Sequence, residues 1–434
     1  MYNLLIKPNE RMYNKMNKII RKITAFTMAI ALTGSGTAVT KLTPSSGSML
    51  SANAAYESEN STPGALQFEL DMNNDGSGVK AGADLKDHVL NISLNDSSRT
   101  IDLRETGSRM INRYMDYIRQ LLDRLSDDEN APKQISYRFA SKEEGAELML
   151  SNQAYYDGFS QNELEYKMQK KNATMEEYKS FAAEQVRDFT EAEKELLNDQ
   201  FRKMEKTLRN NGYTLPPLED IVLIKTTMKE ELGASGYTHG TQIYMQDMIL
   251  ENATSGSIIN RRMYREYLDE FLWHELFHCL TRNNPDFREE MYKLIHFTVA
   301  EEDFPLPPSE FEWHISNPDV EHHNAYATFR IDGEDIDCFL DMATTKHFEH
   351  EGDTFFAYLQ PVLIPVDGSD KYYPYTMAEN FFDVFGYNTD YVDDPEECLA
   401  DNFSYAMVYG MRGKNGNGYA TPEIIEGIIS YLSK

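Results

Sequence analysis

Cysteine is nearly missing from this chain: 434 residues contain three, at positions 279, 338 and 398. So small and odd a number excludes a disulfide scaffold, and stability must come from an ordinary core. The three are therefore read as small buried residues. Positive charge is scarce as well. Lys and Arg total 42 against 71 Asp and Glu, a net charge of −29. Such a charge repels phosphates and anionic headgroups, so nucleic acid is not expected as a partner. Beyond the N-terminus no apolar run is long enough to span a bilayer. What remains is a globular composition, 41% hydrophobic and 12% aromatic, with ample length to bury a sizeable core.

The first residues differ from the rest. A short basic segment with Lys18, Arg21 and Lys22 follows Met16 and precedes the small apolar run 23–33. A Gly/Ser/Thr-rich stretch then ends in Ala52-Asn53-Ala54, a small-x-small pattern that a signal peptidase can cleave. Residues 1–54 are read as a signal peptide of a secreted protein, with no membrane span after its removal. Cleavage takes away seven Lys/Arg and one Glu, leaving a net charge near −35.

Residues 55–100 read as a tail with a short β segment, at 65–70 and 88–94. Between them, Asp71-Met-Asn73-Asn-Asp75-Gly76 imitates the start of a calcium loop. The twelfth position, where the loop needs a carboxylate, is Gly82, so a turn is the better reading. Residues 101–188 read as a helical region. Apolar residues recur at helical spacing over 103–125, and the Gly- and Pro-poor run 163–210 predicts two helices broken near Phe189. Thr190-Glu-Ala-Glu193 is a capping-box start for the second. Strands are predicted at 220–225 and 241–245, helices at 262–281, 285–297, 395–411 and 422–432. Strand-like runs are expected at 325–331 and 354–361.

The chemistry is concentrated in His274-Glu275-Leu276-Phe277-His278. Four residues apart on a helix, the two imidazoles share a face and can bind one cation at about 2.0–2.1 Å. Glu275, rotated by about 100°, is placed to take a proton from a metal-activated water. A catalytic zinc has three protein ligands. Metzincins take a histidine six residues after the second, where this chain has Asn284, so that class is excluded. Glu397-Cys-Leu-Ala-Asp401 supplies a glutamate and, one turn on, an acid to orient a ligand histidine. Glu301 and Glu302 are rivals as third ligand, and Glu396, pointing elsewhere on the helix, loses to Glu397.

The metal helix together with Glu397-x-x-Ala-Asp401 resembles the gluzincin zinc metallopeptidases, and among them the lethal-factor-like catalytic domains. The similarity extends to order over roughly 189–411: a helix, a strand, an edge strand at 241–246, then the metal helix. The resemblance implies an α+β fold with a zincin-like core at 189–434, Zn2+ on His274, His278 and Glu397, and Asp401 behind a ligand. It also implies a tyrosine before the Glu397 helix as oxyanion donor. Tyr391 stands six residues before Glu397 where the family has seven, and Tyr387, Tyr326 and His323 compete. Glu397 follows His278 by 119 positions, more than the family's spacing, which implies an inserted, β-containing subdomain at about 300–375.

The expected function is zinc-dependent hydrolysis of a peptide or protein substrate, extended along the strand at 241–246, with Glu275 as general base. The alternative is a zinc-stabilised, catalytically inactive extracellular binding or effector protein, with residues 56–185 as a delivery, binding or inhibitory region. His322-His323 with Asp319 and Glu321 could form a second metal group, though an exposed polar turn is the plainer reading. Cys279 and Cys398 each follow a proposed ligand and are read as buried thiols rather than a disulfide.

Overall fold

The computed structural model describes the backbone of four strands between residues 66 and 102, and residues 132–434 in full. The expected signal peptide, the 103–125 helix and the Asp/Asn/Gly stretch at 73–78 lie outside the described residues.

The chain divides into two units, 1–126 and 127–434. In the first, β1 (Leu66–Met72), β2 (Val79–Lys86), β3 (Val89–Leu94) and β4 (Ser97–Asp102) form an antiparallel meander in sequence order. The two expected strand segments are β1 and β3. Gly82, the twelfth position of the calcium-like stretch, pairs with Ser93 inside β2.

The second unit is mixed α+β. Its first sheet has the order β5-β7-β9-β8, from β5 (Tyr137–Phe139), β7 (Ile221–Thr226), β8 (Gly236–His239) and β9 (Gln242–Gln246), with β6 (Val186–Arg187) also on β7. All six residues of β7 are buried, because the sheet is covered on both faces, and such a strand reads as a continuous apolar run. Ile221, Leu223, Ile243 and Met245 face one apolar cluster, and Val222, Ile224, Tyr237 and Tyr244 the other. This sheet corrects two expectations. Residues 137–139 and 186–187 belong to it, so the core begins well before residue 189. The edge strand is β8: β9 is parallel to β7 and antiparallel to β8, with no open side.

Among the described residues twelve helices accompany the sheets: α1 (Lys142–Ser151), α2 (Gln153–Asp157), α3 (Gln161–Met168), α4 (Met175–Gln185), α5 (Glu191–Asn211), α6 (Asp247–Ser255), α7 (Ile258–Asn283), α8 (Pro285–Tyr292), α9 (Pro308–Phe311), α10 (Phe381–Phe385), α11 (Pro395–Tyr409) and α12 (Pro422–Leu432). The run 163–210 makes three helices rather than two. Gln169 and Asn172 adopt positive φ, 53° and 55°, and end α3 before α4 starts. The capping box at Thr190 is present in full: Thr190 Oγ1 accepts from Glu193 N, and Glu193 Oε2 accepts from Thr190 N.

Residues 298–374 carry the second sheet, β10 (Thr298–Val299), β11 (Ala325–Ile331), β12 (Glu334–Thr344), β13 (Leu359–Pro365) and β14 (Tyr373–Pro374), antiparallel in sequence order. Residues 355–357 form a 3-10 turn, so the strand expected at 354–361 begins later, at Leu359. Asp332 and Gly333, at φ 52° and 80°, join β11 to β12 in a two-residue hairpin. Ala327, Phe329, Leu340 and Leu363 enter the same apolar cluster as Leu276 of α7 and Phe403 of α11. The expected insertion therefore contains strands but shares the main core.

Candidate active site

Helix α7 owes its position to a wide apolar face: Leu268, Leu272, Leu276 and Leu280 are each at most 1% exposed. Beneath β8 it packs so closely that Gly236 has no room for a side chain; a Cβ would lie 2.7 Å from Tyr244 O and inside the Phe271 ring. Helix α11 meets α7 through Phe403, whose ring lies 5.5 Å from that of Phe277. Asp394 caps α11 by accepting from Glu396 N, which sets the first turn, and with it Glu396 and Glu397, against the histidines.

The three expected ligands converge. Glu397 Oε2 is 3.0 Å from His274 Nε2 and 3.6 Å from His278 Nε2, and these three atoms form a group able to hold a metal ion. Each imidazole presents Nε2 because a carboxylate takes its Nδ1. Asp401 Oδ1 lies 3.0 Å from His274 Nδ1, and Glu396 Oε1 lies 3.1 Å from His278 Nδ1. The pattern is the carboxylate–histidine pairing that fixes a ligand's tautomer. Thr389 donates to Asp401 Oδ2, and Thr281 and Tyr292 donate to Glu396.

Two observations show that a cation fits. His278 Nε2 is buried without a hydrogen-bond partner. Around the two imidazoles stand the carboxylates of Glu275, Asp319, Glu396, Glu397 and Asp401, answered nearby by Arg282. Burial would lower both imidazole pKa values, but these carboxylates overcome it: His274 is raised well above its usual value and His278 to about 10. Burial opposes ionisation of Glu397, yet the imidazoles hold it well below the usual carboxylate range. A divalent cation between the Nε2 atoms would replace the protons that such a site otherwise collects.

Glu275 is 3% exposed, and Thr238 Oγ1 of β8 donates to its Oε2 at 2.6 Å. Burial raises its pKa, against the pull of His274 and His278. The Tyr391 ring is stacked on that of His274, 6.0 Å between centroids and 13° between planes. Tyr391 is 38% exposed as a residue, but desolvation at its hydroxyl, then the Glu397 charge, holds that group well above the usual value. The competitors lie elsewhere: Tyr387 donates to Asp383, the Tyr326 ring packs on Phe304, and His323 pairs with Asp341. Glu301 and Glu302 are exposed and join no metal-capable group among the described residues.

Several contributors were not legible in the sequence. Asn317 Nδ2 donates to Glu397 Oε1 at 2.7 Å. Asp319 Oδ1, 3.9 Å from His278 Nε2, accepts from the backbone N of Thr238, and Glu321 Oε1 accepts from that of Gly240. The residues 317–321 thus cover the outer edge of β8. Glu396 offered a usable signal: two histidines need two Nδ1 acceptors, and acids at 396 and 401 flank the ligand. The tentative group of Asp319, Glu321, His322 and His323 is not formed. Asp319 goes to the α7 site, Glu321 to Arg282, His322 to Asp303 and His323 to Asp341. Cys279, Cys338 and Cys398 are free and buried.

Among the described residues no helix is long and apolar enough to cross a membrane. No protein-family model, no curated protein and no solved structure matches the chain.

Proposed function

We propose that the chain is a secreted zinc-dependent endopeptidase of the gluzincin type, with a zincin-like core built from the β5-β7-β9-β8 sheet, α7 and α11. The observation that carries this reading is the approach of Glu397 Oε2 to both Nε2 atoms, with Glu275 beside them. His274, His278 and Glu397 would hold the zinc ion, which when bound would supply Lewis acidity and lower the pKa of a bound water to about 7.

The chain's own residues do the rest. Asp401 and Glu396 accept from the Nδ1 atoms and so keep the Nε2 lone pairs turned inward. Thr238 holds Glu275 Oε2, which leaves Oε1 to take the proton of the attacking water and pass it to the leaving amine. Burial raises the Glu275 pKa, which suits a carboxylate that must hold a proton briefly. Tyr391, kept protonated, donates to the oxygen that becomes negative in the transition state. A peptide pairing with β8 would take over the backbone N–H groups of Thr238 and Gly240 from Asp319 and Glu321, so the 317–321 segment must yield to substrate.

That covered edge is also what favours the second reading, a zinc-stabilised extracellular module without catalysis. Metal content of the protein from residue 56 onward, for wild type and Glu397→Ala, is the first test. Zinc present in wild type and lost in the variant supports the ligand set. Zinc kept in full by the variant removes Glu397. Cleavage of a peptide library by wild type but not by zinc-loaded Glu275→Gln separates peptidase from inert module.

A further inference from the structure

A second cluster lies on the other sheet. Glu310 of α9, His314 and Asp341 of β12 bring a carboxylate oxygen, a ring nitrogen and a carboxylate oxygen within 4.8 Å of one another. They are 0%, 2% and 5% exposed. His314 Nδ1 lies 2.6 Å from Asp341 Oδ2. His323 brings a second imidazole to the other oxygen, its Nε2 3.2 Å from Asp341 Oδ1, and at 26% exposure of its side chain it is the member that reaches solvent.

Glu310 is the anomaly. Both its carboxyl oxygens are buried, and neither meets a hydrogen-bond donor. A buried carboxylate left unpaired beside a second carboxylate is costly, so a positive charge must sit there, either a shared proton or a cation. Burial and the Asp341 charge push the Glu310 pKa up to about 10, a direction consistent with either occupant. The donor set separates them. An imidazole and two carboxylates converging within 4.8 Å, with a second imidazole on the far oxygen of Asp341, are more than a shared proton requires, and they match the nitrogen and oxygen donors that zinc takes.

We propose that Glu310, His314 and Asp341 bind a second divalent transition-metal ion, of the zinc class, distinct from that of the α7 helix, with His323 bracing Asp341 from its other oxygen. Its position gives it a purpose. Residues 314 and 323 bracket the segment that reaches the first site, where Asn317 holds Glu397 and Asp319 and Glu321 cover β8. A cation on His314 and Asp341, with His323 on the other oxygen of Asp341, would tie both ends of that segment to β12 and fix the loop over the α7 site.

The test is zinc bound per chain after dialysis against zinc(II), read by elemental analysis. Wild type is expected to hold two equivalents, Glu310→Gln one and Glu397→Ala one. Gln at 310 can donate to Asp341, so that variant should fold; should it fail, the His274→Ala/His278→Ala protein decides, and it is expected to keep one equivalent and to show the visible bands of four-coordinate cobalt(II) when cobalt replaces zinc. Zinc binding unchanged by Glu310→Gln, or no metal in the double-histidine variant, overturns the second site. One equivalent that Glu397→Ala keeps and Glu310→Gln loses would support it while sinking the proposed zinc peptidase.

Discussion

Glu396 Oε1 lies 3.1 Å from Nδ1 of His278, on the far side of the imidazole from Glu397. Neighbours in sequence, the two glutamates thus face opposite nitrogens of one ring, because side chains one residue apart on a helix diverge by about 100°. Glu396 is itself braced by Thr281 and Tyr292.

Glu396→Gln is therefore expected to weaken metal binding by about 10–100-fold, the effect of losing a ligand's carboxylate partner. Competition with a chromophoric chelator measures it. An unchanged dissociation constant would mean that His278 is oriented by packing alone.

Thr238 touches Glu275, the proposed general base, and none of the proposed ligands. Thr238→Val should leave zinc content intact and lower kcat by roughly tenfold, a fraction of the about 10²–10⁴ that general-base catalysis supplies. Glu275→Gln should remove the whole of it. A Thr238→Val enzyme with wild-type kcat would dismiss the hydrogen bond at Glu275 Oε2 as unimportant to the reaction.

Lys167 sits with no exposed side-chain surface between Glu163, at 2.9 Å, and Glu231, at 2.7 Å. Tyr155 and Tyr178 add hydroxyl donors to Glu231. Burial would lower the Lys167 pKa, but the two carboxylates raise it. Lys167→Met strands two buried acids and should cost about 3–5 kcal/mol. Urea unfolding reads the loss, and the Lys167→Met/Glu163→Gln/Glu231→Gln variant should recover much of it. A single variant as stable as wild type would refute the network.

Burial raises the Glu230 pKa from 4.5 to about 7, opposed by the hydroxyl of Thr226. The folded state then holds this proton where the unfolded chain has released it. Its contribution is complete below pH 4.5 and is lost as pH rises to about 7, a difference of order 3 kcal/mol. Glu230→Gln should remove that slope and melt higher than wild type at pH 8, with little difference at pH 4.5. Parallel Tm curves across this range would show that Glu230 is not shifted.

Much of the candidate site could be read from the chain because its geometry is local. His274 and His278, Glu397 and Asp401, Thr190 and Glu193 are related by the turn of one helix, and the spacing alone says which side chains share a face. The free state of the three cysteines was likewise anticipated from their number. Local pattern was misleading where a break depends on single residues: positive φ at Gln169 and Asn172 splits a run whose composition is helical throughout.

What a strand pairs with is not written in its own alternation. The run at 242–246 looks the same whether its outer side is open or covered, and only the fold laid β8 along it and made β8 the edge. The partners of Glu275, Glu397 and His278 at Thr238, Asn317 and Glu396, and the meeting of Glu310, His314 and Asp341, belong to the same category. By itself the sequence determined the α+β class, the helix carrying two histidines and an acid, and the second helix that answers it. Tertiary structure decided which buried charges meet, because a charge withdrawn from water must be paired by whatever element crosses it in space, however distant in the chain.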